Sequence, residues 1–265
     1  MRKLLRVDLF RLRKDKTPLL GFIVAAVLVL MSLGMFALLY SLTNDSEGGF
    51  MAIYSPKNMF IQSFQMGNNV GLVVVIIVAI FTSRDFTQNT LRLKVINGYA
   101  RFKVYLSMLF TNLIYGIGLI LGYGLVMLLI GSLIFGYGSP FNLSEFLKLL
   151  ATSSMALLYV ILFVSIVTAI SMKFHTIGAS IGLSVAVVIG ETIFSMIISS
   201  FPTAIKGFPE WLTKGLSALP SIGMTSLSTY TYDRIGVMVI IISSVLLIIL
   251  VNVLGIRSFN KSDLK

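Results

Sequence analysis

Six long apolar runs divide the sequence, each bounded by polar or basic residues: Leu19–Leu42, Met66–Phe81, Tyr105–Phe135, Phe146–Met172, Ile177–Ser199 and Ile235–Ile256. A helix needs roughly 20 apolar residues to cross about 30 Å of hydrocarbon. The pattern therefore predicts an all-α polytopic membrane protein with six transmembrane helices. The second run is short by itself, and the apolar stretch Met59–Phe64 is expected to lengthen it. The third is long enough to tilt or to extend beyond the bilayer. Ahead of the first run, MRKLLRVDLFRLRKDK carries Leu5, Leu9 and Leu12 at i, i+4, i+7 spacing, with Arg and Lys over much of the rest. That spacing predicts an amphipathic helix over 1–17 in the headgroup region, basic side on anionic lipid, separated from the first span by Pro18. The plainer alternative is a basic flank that only sets orientation.

Composition turns the six runs outward to lipid. Hydrophobic residues make up 57% of the chain and charged residues 12%, against about 25% charged in a soluble domain. The net charge of +11 does not mark a nucleic-acid surface, because the cations cluster at the ends of apolar runs. Sixteen of the 21 Lys and Arg fall in Met1–Lys16, Thr82–Val104, the 173–176 turn and the tail after Ile256. Lys57, Lys148, Lys206, Lys214 and Arg234 fall on the other side. Six spans put both termini on one face of the membrane, and the positive-inside rule makes that face the cytoplasm. The first apolar run exceeds a signal-peptide core and reads as a retained anchor. Without cysteine, and with His175 as the only histidine, the chain lacks the usual metal-ligand and thiol chemistry. His175 is expected to be solvated in its turn.

What lies between the spans does not amount to a soluble domain, so 1–265 reads as a single transmembrane domain. The external segments Leu42–Gln65 and Ser200–Asp233 have no room for a core of their own. The second (200–233) alternates apolar residues with Gly and Pro and holds the only tryptophan, Trp211. Short interfacial or re-entrant helices between Phe208 and Leu227 are one expectation; an aromatic loop resting on the headgroups is the other.

The cytoplasmic loop Thr82–Val104 (82–104) is polar, basic and longer than a simple connection between membrane helices requires. It reads as helix, turn and second helix. Thr87 or Asn89 begins the first, Leu91, Leu93 and Val95 supply its apolar contacts, and Asn97-Gly98 ends it. The second runs from Tyr99 into the third span. Arg84, Arg92 and Arg101 are suited to lipid phosphate or to a protein carboxylate. A solvated basic loop is the plainer reading.

Within this loop, Asp85-Phe86, Thr90-Leu91-Arg92, Gly98, Arg101 and Tyr105 resemble the pattern of ABC-2-type transporter permeases, roughly D/E-[FY]-x-x-G-T-L-R followed by G-x-x-R. Asn89 stands where that pattern often has glycine, and Met108 where a lysine commonly follows. The order of parts is also similar over nearly the whole chain. The resemblance implies that Asp85, Phe86, Thr90, Leu91, Arg92, Gly98 and Arg101 form a coupling helix that docks on a separate ABC ATPase subunit. The 173–176 turn would be a minor second contact. ATP and Mg would be bound by that partner, since this chain has no G-x-x-x-x-G-K-[ST]. The implied protein is a subunit of an exporter in a bacterial cytoplasmic membrane, paired with a second permease of the same or another sequence. Relatives of this layout often move amphipathic or antimicrobial peptides.

Two further features stand apart from the loop. Gly118-x-x-x-Gly122 and Gly178-x-x-x-Gly182 permit close helix approach, within the chain more readily than between chains. Glu191 is the only acid well inside an apolar run, where a charge needs a partner or a cavity. It is a candidate for the substrate pathway or gate, together with Asn112. Otherwise it is a structural carboxyl bonded to Thr192 or Asn112. The competing functional reading is an ion-coupled secondary transporter that uses Glu191.

Overall fold

A computed structural model describes residues 1–43, 55–137, 142–204, 209–230 and 233–261, and these are helical throughout with short connections. In chain order the helices are α1 (Arg2–Lys14), α2 (Lys16–Thr43), α3 (Pro56–Gln62), α4 (Asn69–Thr87), α5 (Thr90–Ile96), α6 (Arg101–Phe135), α7 (Leu143–Phe174), α8 (Ile177–Ser199), α9 (Phe201–Ala204), α10 (Glu210–Gly215), α11 (Pro220–Ser228) and α12 (Arg234–Lys261). Residues 44–54, between the first two spans, lie outside the described residues, as do 205–208, with Lys206, and 231–232, between the last two.

Six helices, α2, α4, α6, α7, α8 and α12, are long and apolar enough to cross a membrane. The chain is a multi-pass membrane protein. Its exterior shows why: Leu30 is 70% exposed, Leu133 85%, Met196 76% and Leu246 61%, surface that water would not tolerate in such amount. At 1.5 Å per residue, the 35-residue α6 is about 50 Å long, so it projects past the hydrocarbon or tilts in it.

Helices α4 and α7 form the centre, and α2, α6, α8 and α12 surround them. The α7–α12 pair packs most extensively, and α8 lies along α4. Three tyrosines seat their hydroxyls over glycines at these crossings. Tyr105 meets Gly255, Tyr115 meets Gly21 and Tyr159 meets Gly223. Each hydroxyl donates to a nearby oxygen: Asn252 Oδ1 at 3.3 Å, Pro18 O at 3.4 Å and Ser217 O at 3.0 Å. A buried phenol needs such an acceptor, and the missing Cβ lets the ring come close enough to reach it.

Several local expectations shift. Met59–Phe64 does not lengthen the second span; most of it forms α3, a separate buried helix packed on α6, with Ile61 and Phe64 fully buried. Turns at Phe64 and Gln65 break the chain before α4 starts. The second span gains its length at the other end, because α4 continues past Phe81 to Thr87.

The break between α1 and α2 falls at Asp15, whose backbone is extended (ψ 139°). Its carboxylate Oδ1 accepts from both Thr17 N–H and Thr17 Oγ1 at 3.0 Å, as a helix N-cap does. Pro18 then sits in the first turn of α2, where its missing N–H has no intrahelical role.

The glycine pairs do not pack on any of the described residues. A Cβ built at Gly118, Gly122, Gly178 or Gly182 meets nothing within 4 Å. On α8 the inward face is instead Ser180, Ser184, Val188 and Ser195. Serine is nearly as small as glycine and serves the same close approach.

The described residues between the fifth and sixth spans do contain helices. α10 holds Trp211, 72% exposed, and α11 turns inward on α3 and α8, burying Met224 and Leu227.

Candidate functional site

The sequence singled out the polar segment between the second and third spans, and the structure draws several helix ends to it. α4 carries Asp85 one turn past its apolar run into a fully buried position. There Asp85 forms an ion pair with Arg11 of α1 and lies 3.5 Å from Lys94 Nζ of α5. Lys94 also pairs with Asp8 of α1 at 2.6 Å, and Ser107 Oγ of α6 donates to the other Asp8 oxygen at 2.6 Å. The Arg11 guanidinium stands 4.8 Å above the Phe81 ring. Two acids and two bases from three helices thus form a neutral, largely buried cluster. Charges survive burial only when so paired. Burial lowers the Arg11 pKa, with Asp8 and Asp15 opposing that shift; arginine stays charged regardless.

This overturns the expected placement of α1. Its inward side holds Leu4 and Asp8, both buried, beside half-buried Arg11, while Leu5 and Leu9 are only half-buried. The helix packs on α6. Part of its basic surface is spent on the chain's own carboxylates rather than on lipid. A second pair lies beside it: Arg84 NH1 bonds Asp15 Oδ1 at 3.1 Å and Thr17 Oγ1 at 2.6 Å. Partial burial opposes the Asp15 charge, but the Thr17 hydrogen bonds, then Arg84 and Arg11, outweigh it. The Asp15 carboxyl is therefore held below its usual range.

The connection itself is shaped by two left-handed residues. Asn89 has φ 56° and Gly98 φ 83°. Asparagine tolerates that region better than other residues with a Cβ, so Asn89 supplies the conformation that glycine would. Thr90 Oγ1 donates to Asp85 O at 3.1 Å and fixes the start of α5. Leu91, 1% exposed, anchors α5 in an apolar cluster with Leu4, Phe81 and Met108. Met108 is fully buried there, and the cations beside Asp85 come from Arg11 and Lys94. Phe86 lies against His175, ring centroids 4.2 Å apart, and edge-on to Phe259. His175 is therefore not in open solvent; its turn is tied to the loop. Arg101 NH1 donates to Phe259 O at 3.2 Å and Asn260 O at 2.8 Å, a cation closing a helix C-terminus.

Of the seven residues singled out in this loop, Asp85, Phe86, Thr90, Leu91 and Arg101 make internal contacts, and Gly98 shapes the turn. Arg92 is exposed. On the same helix Leu93 is 57% exposed and Ile96 68%, and Phe102 at the start of α6 is 47% exposed. Leu93 had been expected to face inward with Leu91 and Val95. Positions two apart cannot share a helix face, and that rule would have separated Leu93 from the other two.

Glu191 and Asn112 lie apart. Asn112 Nδ2 donates to Thr82 Oγ1 at 2.8 Å and Thr168 Oγ1 at 2.9 Å, tying α4, α6 and α7 in the interior. Glu191 reaches neither Asn112 nor Thr192 but α11. Its Oε1 accepts from Ser195 Oγ at 2.8 Å and Ser221 N–H at 3.0 Å, and its Oε2 from Ser221 Oγ at 2.5 Å. The carboxylate thus caps the N-terminus of α11 from another helix. A cavity of about 320 Å³ lined by Gln65, Ser195, Ser221 and Thr225 adjoins it. Replacing Glu191 with alanine is expected to cost about 1 kcal/mol, as losing an N-cap does, and Glu191→Gln clearly less. Thermal melting of the two variants in detergent checks this; equal melting of Glu191→Ala and the native chain would remove the capping role.

A family model described as a protein of unknown function, DUF2705, matches residues 19–265. No curated protein and no solved structure matches the chain.

Proposed function

The chain belongs to the family of proteins of unknown function DUF2705, and from its residues we propose that it is the membrane-spanning permease subunit of an ATP-driven ABC exporter. In this reading the end of the bundle that carries α1 and α5 faces the cytoplasm of a bacterial cell. α5 is the coupling helix, a separate ABC ATPase holds ATP and Mg, and a second permease completes the transporter. The cargo is an amphipathic molecule such as an antimicrobial peptide.

The observation that supports the reading is the exposed patch of Arg92, Leu93 and Ile96 on a helix otherwise fixed to the bundle. Leucine and isoleucine exposed beside an arginine, on a loop outside the apolar run, suit burial in a partner's cleft. The internal face of α5 suits force transmission. Lys94 joins it to Asp8 and Asp85, so a push on α5 reaches α1 and α4 through charges that cannot separate cheaply. Arg101 and the Phe86–His175 contact extend the same unit to α12 and the α7 end.

The test is affinity purification of the chain from its native membrane in mild detergent, beside an Arg92→Glu plus Ile96→Glu variant. Both side chains are exposed, so the variant is expected to melt like the native protein. A Walker-type ATPase is expected with the native chain and reduced at least about tenfold with the variant, equivalent to 1.4 kcal/mol of binding. If no ATPase accompanies the native chain under conditions that hold known transporters together, the reading is abandoned.

A further inference from the structure

The last turns of α7 and α12 leave a slot between them of about 460 Å³. The two helices run in the same direction to the same end of the bundle, and they approach closely at Ala169 and Gly255. A Cβ at position 255 would stand 3.0 Å from that of Ala169. Beside this contact, Ile170 and Leu254 line an almost wholly apolar groove, and Lys173 and Ser258 stand at its outer end. Leu254 is 55% exposed and Lys173 is exposed. Lys173 lies over the Phe174 ring at 5.4 Å, and no carboxylate pairs with it among the described residues.

We propose that this slot holds one acyl chain of an anionic phospholipid, with the lipid phosphate on Lys173. The groove begins at the level of Ile166, and Lys173 lies two turns further on, about 10 Å along the helix axis. An apolar slot parallel to the spans, closed at its polar end by a cation and a hydroxyl, matches the division of a phospholipid into tail and headgroup. Charge selects the lipid class: the cationic mouth favours a net negative headgroup, as basic pockets between membrane helices do. Exposed Arg257 lies one turn beyond Leu254 on α12, adding to the same potential. A soluble anion would gain nothing from the apolar walls. The inference does not depend on the ATPase reading, since it needs only the spans and this groove.

The test uses the full-length chain reconstituted in phosphatidylcholine nanodiscs containing a minor fraction of phosphatidylglycerol. Detergent extraction and native mass spectrometry then count the lipids retained. The native chain is expected to keep one phosphatidylglycerol, preferred over phosphatidylcholine by about fivefold, the factor one lysine provides near a lipid surface. Lys173→Glu should abolish the preference, and Leu254→Trp should lower retention of both lipids by filling the slot. Lys103→Glu, at an exposed cation that does not line the groove, should leave retention unchanged. All three substituted side chains are exposed, so each variant can be verified as folded by its melting curve. Equal retention of the two lipids by the native chain would overturn the proposal. So would unchanged phosphatidylglycerol retention in folded Lys173→Glu.

Discussion

Asp85→Ala is expected to lower the stability of the purified chain by about 3–5 kcal/mol, the cost of removing one partner from a buried ion pair. Asp85 is fully buried, and its loss leaves Arg11 and Lys94 with Asp8 as the only acid of the cluster. The excess positive charge has no short route to water, because Lys94 is only 12% exposed. Three helices meet at the site, so the loss should free α1 and α5 as well as loosen α4. Thermal melting by circular dichroism in detergent gives the shift, and protease cleavage near Asp15 reports release of α1. The surface pair Lys148–Glu145, with Lys148 59% exposed, is the control: breaking it should cost less than about 1 kcal/mol. A combined Arg11→Met plus Asp85→Leu change should recover much of the loss, since apolar replacement of a buried pair is often neutral. An Asp85→Ala chain as stable as the native one would show that the cluster carries no stability. The coupling route argued through it would then fail as well.

The six spans were legible because length and hydropathy decide membrane crossing, and neither depends on tertiary contacts. The α5 helix and its Asn97-Gly98 stop were legible for a similarly local reason. The faces of helices were harder. In α1 the spacing of Leu5, Leu9 and Leu12 pointed to a lipid-facing helix, yet the burial follows Leu4 and Asp8. A sequence pattern scores Asp8 as polar and therefore outward; its pairing with Lys94, 86 residues away, and with Ser107, 99 away, is what permits burial. An acid in the middle of a basic helix was the available signal. The same holds for Arg101, which looked like part of a docking surface but closes α12 from 158 positions away. Within the loop the polar positions Asp85, Thr90 and Arg101 are bound into the frame, and the less conspicuous Leu93 and Ile96 form its outward face.

Glycines make the same point through space rather than charge, and they carry the second large prediction. Gly71→Ala is expected to destabilise the protein by about 1–3 kcal/mol or more, the range for forcing extra volume into a filled site. A Cβ there would stand 2.6 Å from Met66 O and 2.7 Å from Gln65 O. These are backbone atoms, which cannot rotate away as a side chain would. Relief would require the 63–68 connection to lift off α4, pulling α3 and its buried Ile61 from their seat on α6. Alanine favours a helix by about 0.8–1.0 kcal/mol over glycine, which is too little to offset that displacement. At Gly118 and Gly178 the same substitution meets open space, so the helix preference alone acts and the isolated chain should be as stable as before or slightly more. Melting curves of the three alanine variants in dilute detergent separate the two cases. If Gly71→Ala melts with Gly118→Ala, the turn before α4 does not lie against it. A Gly118 or Gly178 variant that loses stability only at concentrations where chains associate would mean that the open glycine face is the one a second copy of the chain covers.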